Sequence, residues 1–314
     1  MNSALFSVVL GLVGLGNSWH MASLLWGYPT WVASGIHATA VLVWLVLLTR
    51  YAAKWARNPH AAMTEACHPV QGNFVTLVPI SGMLIALVIK PLSQTVATTI
   101  FLLGLMGWLL FALWQGGRAF MQGGAQTHLT HAVYIPWVAG NFSAALVSSI
   151  LGWAGWDQMF FGAGVLSWLV LESVVLQRLL TADPLPAVMR ATFGIPLAPP
   201  AVGLVAYLAV ASAPSALVVH MLLGYAVLQA LMLLRLLPWI CAQGWSMSYW
   251  AVSFGATALA LGAQRWLVHG ATALASALAH PLFFLANGTV ALLLIGSVWA
   301  FLHLLRPITP KKPR

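Results

Sequence analysis

Ten apolar runs, each close to twenty residues long, follow one another through the chain with mostly short breaks between them. A helix needs about 20 residues to cross a bilayer core, and within that core every backbone polar group must find a partner inside the protein. The pattern predicts a bundle of membrane-spanning helices at 4–24, 30–53, 69–90, 95–117, 132–153, 157–179, 194–212, 215–238, 246–268 and 281–305. Only 5% of the residues are charged and the mean hydropathy is +0.92, whereas soluble domains carry about 25% charged residues. The fold class is therefore all-α and polytopic, with 1–314 forming a single transmembrane domain. The first run lacks a basic n-region and continues to about residue 24, so it reads as a spanning helix and not as a signal peptide.

Charge placement orients the bundle. Arg50, Lys54 and Arg57 follow span two, Arg118 follows span four, and Arg178 and Arg190 flank the connection after span six. Arg235 lies near the end of span eight, and Arg306, Lys311, Lys312 and Arg314 close the chain. Only Lys90 and Arg265 fall on the other side. The positive-inside rule then makes the crowded face cytoplasmic, with both termini on it. The net charge of +9 comes from this asymmetry, and no basic cluster is dense enough to suggest nucleic acid.

A repeat runs through the spans. Pro79, Pro136 and Pro196 sit inside spans three, five and seven at intervals of 57 and 60 residues, and Phe254 follows 58 further on. Arg118, Arg178 and Arg235 recur at 60 and 57. A period near 60 is one hairpin of two membrane helices, so the chain reads as five hairpins in parallel repetition. Odd spans hold proline, glycine and hydroxyl residues, whereas even spans are smoother runs of Leu, Val, Trp and Phe. In span one Ser7, Gly11, Gly14 and Ser18 share a face. Asn73, Thr76, Ile80 and Met83 do so in span three, and Gly140, Ala144 and Ser148, beside Asn141 and Ser143, in span five. Pro196, Pro200 and Gly203 belong to span seven, and Ser246, Ser253, Thr257, Ala260 and Gln264 to span nine. Two readings stay open. Small residues at helical spacing let membrane helices pack closely. Alternatively, the stripes face a shared pore, where carbonyls freed by the prolines would meet water. The second reading puts five kinked helices inside five smoother ones.

Few groups could carry chemistry. Of the four acids, only Glu172 lies well inside a span. An intramembrane carboxylate raises the prospect of proton coupling, but span six is an even helix, which favours a structural ion pair with Arg235. His128 and His131 stand three apart ahead of span five and read as residues of the cytoplasmic mouth. Cys67 and Cys241 make neither a disulfide framework nor a metal site. No nucleophile set, phosphate loop or metal spacing appears, so no enzyme, cofactor or metal is expected. A neutral lining without an acidic ring, under a basic cytoplasmic face, points to anions.

The runs "YIPWVAGNFSA" (134–144), "FGAGVLSWLVLE" (161–172), "LLRLLPW" (233–239) and "WAVSFG" (250–255) resemble the TehA family of tellurite-resistance and C4-dicarboxylate transporters, bacterial relatives of the plant guard-cell slow anion channels. The resemblance runs from Leu10–Gly11 to span ten. It implies five hairpins in quasi-fivefold arrangement, odd helices lining a central pore, and a homotrimer in the bacterial inner membrane with one pore per protomer. It also implies that Phe254 occludes the pore. Transport of C4-dicarboxylates, tellurite or small anions such as halide and nitrate is the activity to expect; alternatives are a proton-coupled dicarboxylate or drug carrier using Glu172, and a scaffold or sensor. One departure stands out. Where relatives have Tyr-Phe-Gly in helix one, this chain has Leu5, Phe6 and Ser7, so a serine would either crowd the gating ring or offer it a polar neighbour.

Overall fold

The computed structural model describes residues 1–122, 129–242, 244–270 and 273–304, and its regular structure is entirely helical. The α-helices are α1 (Ser7–Trp26), α2 (Thr30–Arg57), α3 (Pro59–Cys67), α4 (Gln71–Val75), α5 (Leu77–Ile89) and α6 (Gln94–Gln122). They continue as α7 (Gly140–Leu151), α8 (Trp156–Thr181), α9 (Ala198–Val210), α10 (Ala216–Cys241), α11 (Ala251–Val268) and α12 (Ala273–Leu304). His128, Arg306, Lys311, Lys312 and Arg314 lie outside the described residues. Among the described residues, nine helical stretches are long and apolar enough to cross a membrane. The remaining expected span, the ninth, coincides with α11, eighteen residues long, in which Gln264 and Arg265 lower the apolarity. Span ten starts earlier than expected, at Ala273. The connection after span two is not a plain linker but contains α3, started by Pro59 and capped by the Asn58 side chain.

Every odd span begins with a departure from α-geometry. Tight 3₁₀ turns cover Ser3–Phe6 before α1, His131–Val133 before α7, Ala187–Leu197 before α9 and Met247–Trp250 before α11. A π-turn at Ile135–Ala139 leads into α7, and a break at Thr76 separates α4 from α5. Proline explains two of these. Pro136 and Pro196 have no N–H to give the preceding turn, so the helix resumes regular bonding only past them.

Odd and even spans divide into an inner and an outer layer. Over their most apolar stretches, the first, third, fifth and seventh spans are 56–78% buried and the even spans 11–28%. Leu42, Leu103, Leu166, Leu231 and Leu292 are among the exposed side chains of α2, α6, α8, α10 and α12, as lipid-facing positions should be. Each inner helix packs on the outer helix that follows it. The inner helices also touch in sequence, α1 on α5, α5 on α7, α7 on α9, α9 on α11, and α11 back on α1. Two joints repeat with the hairpins. Lys90, at the end of α5, donates to the Ile150 carbonyl of α7, and Ser149 of α7 donates to the Ala209 carbonyl of α9, each bond spanning 60 residues. Carbonyls at a helix C-terminus have no partner within their own helix, and here the neighbouring repeat supplies the donor.

Another tie holds the start of the chain. Glu65, buried in α3, pairs with Lys54 of α2 at 2.6 Å and accepts from the Ser3 backbone N–H and hydroxyl at 2.8 and 2.9 Å. Removing one partner of a buried pair strands the other. Glu65→Ala is expected to cost about 3 kcal/mol, the low end for a buried pair because Lys54 is partly exposed, read as a fall of several degrees in the thermal midpoint in detergent. Glu65→Gln, which keeps acceptors for Ser3, should lose less.

Candidate functional site

The irregular turns that open the inner spans converge on one cavity of about 40 Å³. Ser7 and Leu10 of α1 and Phe74 and Leu77 of the α4–α5 break line one part of it; Tyr134, Ile135, Ala139 and Phe142 line the next. Ile195, Ala198, Pro199 and Val202 continue the wall, and Ala251 and Phe254 of α11 complete it. All five inner segments contribute, each with a pair spaced i, i+3 that faces one direction. A volume of this size holds a few waters at most, and its wall is almost wholly apolar.

Phe254 stands in this wall, 9% exposed. Gly255 beside it serves packing: a Cβ there would lie 2.9 Å from the Ala198 backbone nitrogen, so the glycine lets α11 lie against the first turn of α9. Ser7 shares the cavity with the ring, but its hydroxyl donates to the Ala4 carbonyl at 2.7 Å. The serine therefore presents no free hydroxyl proton to the ring.

Two more rings belong to the site. Phe74 and Phe142 line the cavity, and Phe142 is clamped where Gly164 and Gly203 leave no room for a Cβ. Both close a Gly-Asn-Phe triplet, at 72–74 and 140–142. In each triplet the asparagine amide donates four residues back along its own chain, Asn73 to the Pro69 carbonyl at 3.0 Å and Asn141 to that of Trp137 at 2.7 Å. The triplets share a local form, although Phe74 precedes Pro79 and Phe142 follows Pro136, so they are not at the same position of the repeat.

The family model for SLAC1, described as voltage-dependent anion channel, matches residues 1–304. The chain belongs to the SLAC1 family. A TehA homolog of Haemophilus influenzae, a tellurite resistance protein by name, is 34% identical over 84% of this chain and 80% of its own length. The S-type anion channel SLAH3 of Arabidopsis thaliana is 27% identical over 57% of this chain and 28% of its own. An uncharacterised transporter of Methanocaldococcus jannaschii is 25% identical over 53% of this chain and 52% of its own.

In this SLAC1-family chain most of the expected lining lies elsewhere. Gly11 and Gly14 do not reach the cavity. They face Ser253 and Thr257, where an added Cβ would fall on those side chains, so the stripes of α1 and α11 are a helix–helix contact. Ser253 and Thr257 are fully buried there and turn their hydroxyls to the carbonyls of Trp250 and Ser253. Further along the contact the Ser18 hydroxyl donates to the Gln264 amide oxygen at 2.8 Å. Pro79 and Met83 pack under Gly104 and Gly107 of α6. Thr76 is buried, its hydroxyl on the Asn73 carbonyl at 2.6 Å. Asn73 and Asn141 spend their amides on their own helices, as above, and Gln115 donates to Asn73 at 3.2 Å. Gly203 backs the Phe142 ring, and Ala144, Pro196 and Pro200 are buried behind the wall, which Pro199 reaches instead. His131 is buried against the Phe193 and Tyr134 rings and is no open mouth residue.

The π-turn leaves one carbonyl over, because the Gly140 N–H goes to Ile135 and not to Pro136. No water is needed there: the Trp108 indole of α6 donates to the Pro136 carbonyl at 2.8 Å, seated over Gly140, where a Cβ would collide with it. Trp108→Phe should leave that buried carbonyl without a donor and cost about 1–3 kcal/mol, seen as a lowered melting midpoint with the helical circular dichroism intact.

The pairing of Glu172 with Arg235 is also corrected. No ion pair joins them among the described residues. Arg235 is exposed on α10, while neutral donors occupy the carboxylate. The Tyr134 hydroxyl and Trp168 indole reach one oxygen at 2.8 and 2.9 Å, and the Tyr225 hydroxyl and Gln229 amide reach the other at 2.5 and 3.4 Å. Tyr225 and Gln229 precede Arg235 on α10, and their shorter reach satisfies the carboxylate without a second charge.

Proposed function

We propose that this protein is a channel or channel-like transporter that passes small anions along the axis of its inner helices, with Phe254 as the closing ring. One observation carries the reading: five inner segments line one apolar cavity where each changes helical form, and Phe254 stands in its wall. An apolar constriction of this size excludes a hydrated ion and closes by dewetting. Phe74 and Phe142 act beside Phe254 as companion rings, and Ser7 takes the place opposite them without blocking the path. The five hairpins form a quasi-fivefold ring with the pore at its centre.

Kinship with a tellurite resistance protein and an S-type anion channel supports small anions as cargo, with C4-dicarboxylates, tellurite, halide and nitrate the species to try first. The working unit is a homotrimer, one pore per protomer, in a bacterial inner membrane with both termini cytoplasmic. Glu172 stands behind the wall and not in it, which weighs against a proton-coupled carrier. Purified protein in planar bilayers or liposomes provides the test. Phe254→Ala should carry much larger anion currents than the parent, and equal currents would sink the assignment.

A further inference from the structure

We infer that Glu172 is a positioning residue that keeps the wall of the constriction apolar by holding the Tyr134 hydroxyl out of the permeation path. Only two side chains lining the cavity carry a polar group, Ser7 and Tyr134. The Ser7 hydroxyl is committed to the Ala4 carbonyl. The Tyr134 hydroxyl points the other way, onto Glu172 of the outer helix α8, at 2.8 Å. Glu172 is itself fixed from two further directions, by Trp168 one turn back on α8 and by Tyr225 and Gln229 on α10. Trp168 and Tyr225 pack edge to face at 5.6 Å, which fixes the orientation of both donors. The carboxylate thus joins the π-turn of an inner span to the outer helices of two hairpins.

A carboxylate accepts hydrogen bonds more strongly than a neutral group and takes several at once. At rest it therefore outcompetes a passing anion for the Tyr134 hydroxyl. With that donor withdrawn, a permeating anion meets hydrocarbon and must cross by shedding water, which favours weakly hydrated anions over strongly hydrated ones. Without Glu172, the hydroxyl swings toward the cavity and offers strongly hydrated anions a substitute for a lost water.

This rests on the pore reading, and the two are tested apart. In a Phe254→Ala parent, the chloride-to-nitrate permeability ratio is taken from reversal potentials. Glu172→Ala should raise the ratio by about three- to tenfold, the factor that corresponds to one net hydrogen bond. Adding Tyr134→Phe should abolish the shift. An unchanged ratio overturns the inference. So does a shift that persists without the tyrosine hydroxyl, because the lost charge alone would then be acting. Glu172→Gln, which keeps one acceptor oxygen, should shift the ratio less in the same direction if the alanine variant fails to assemble. No current from the Phe254→Ala parent overturns the pore reading, and the positioning role is then decided by chemical reactivity. Nitration of Tyr134 by tetranitromethane, followed by mass spectrometry, should rise severalfold in Glu172→Ala; equal nitration in the two proteins refutes it.

Discussion

Phe254→Ala is expected to raise anion conductance by roughly thirtyfold to a hundredfold over the parent protein. The cavity beside the ring is about 40 Å³, too small for an ion with its water, so passage requires dehydration against an apolar wall. Removing a charge from water without a partner costs several kcal/mol even after the protein relaxes. Deleting the ring joins its volume to the cavity and lets water accompany the ion. Relief of about 2–3 kcal/mol is enough for the stated gain, since each 1.4 kcal/mol is a factor of ten. The fold should tolerate the change. A fully packed phenylalanine costs about 3–5 kcal/mol when truncated, whereas this ring already borders open space and should cost less. Phe254→Leu retains bulk at the same place and should conduct only a little more than the parent. A conductance independent of side-chain size at 254 would move the gate elsewhere in the wall, with Phe74 and Phe142 the next positions to test.

How much of this was legible in the sequence depends on the range of the interaction. Hydropathy acts along the chain, and it carried the all-α membrane fold; the contrast between proline- and glycine-bearing odd spans and smooth even spans carried the alternation of buried and exposed helices. The prolines at 57- and 60-residue intervals marked two of the irregular turns that open the inner spans, because proline alters its own helix. Which neighbour a small residue faces is different. Ser7 and Gly11 lie one turn apart on α1, yet Ser7 lines the cavity and Gly11 meets Ser253, a distinction made by the approach of α11. Hydroxyls and amides on an inner face looked available to a lumen, but Thr76, Asn141 and Thr257 all bond to carbonyls of their own helices. Glu172 invited a charged partner because a carboxylate in a membrane needs one. Four neutral donors met that need, three of them on side chains thirty-eight to fifty-seven residues away with no shared motif. A signal for Phe142 was present and unread: Gly-Asn-Phe occurs at both 72–74 and 140–142, each time placing one bulky ring beside a glycine in an inner span, as Phe254 stands beside Gly255.

The second large effect concerns Gly14, where packing and pore lining predict opposite results. A Cβ built at Gly14 falls on the Thr257 hydroxyl and lies 2.9 Å from the Thr257 Cβ. Neither is the end of a flexible chain, so relief requires α1 and α11 to separate. Those helices close the inner ring, and the same contact includes Gly11 against Ser253 and Ser18 on Gln264. Forcing one methyl into such a contact costs about 1–3 kcal/mol, and a larger side chain costs more. Gly14→Ala should therefore lower the melting midpoint markedly, and Gly14→Leu should leave little monodisperse protein in detergent. Thr257→Gly added to Gly14→Ala moves the small position from one helix to the other and should recover most of the loss, because close approach of the two backbones is what the pair provides. If Gly14 faced an open lumen instead, Gly14→Ala would assemble normally and its effect would appear in conductance alone. Rescue of stability by the second substitution is therefore the decisive observation, since a residue lining open space has no partner whose shrinkage could compensate for it.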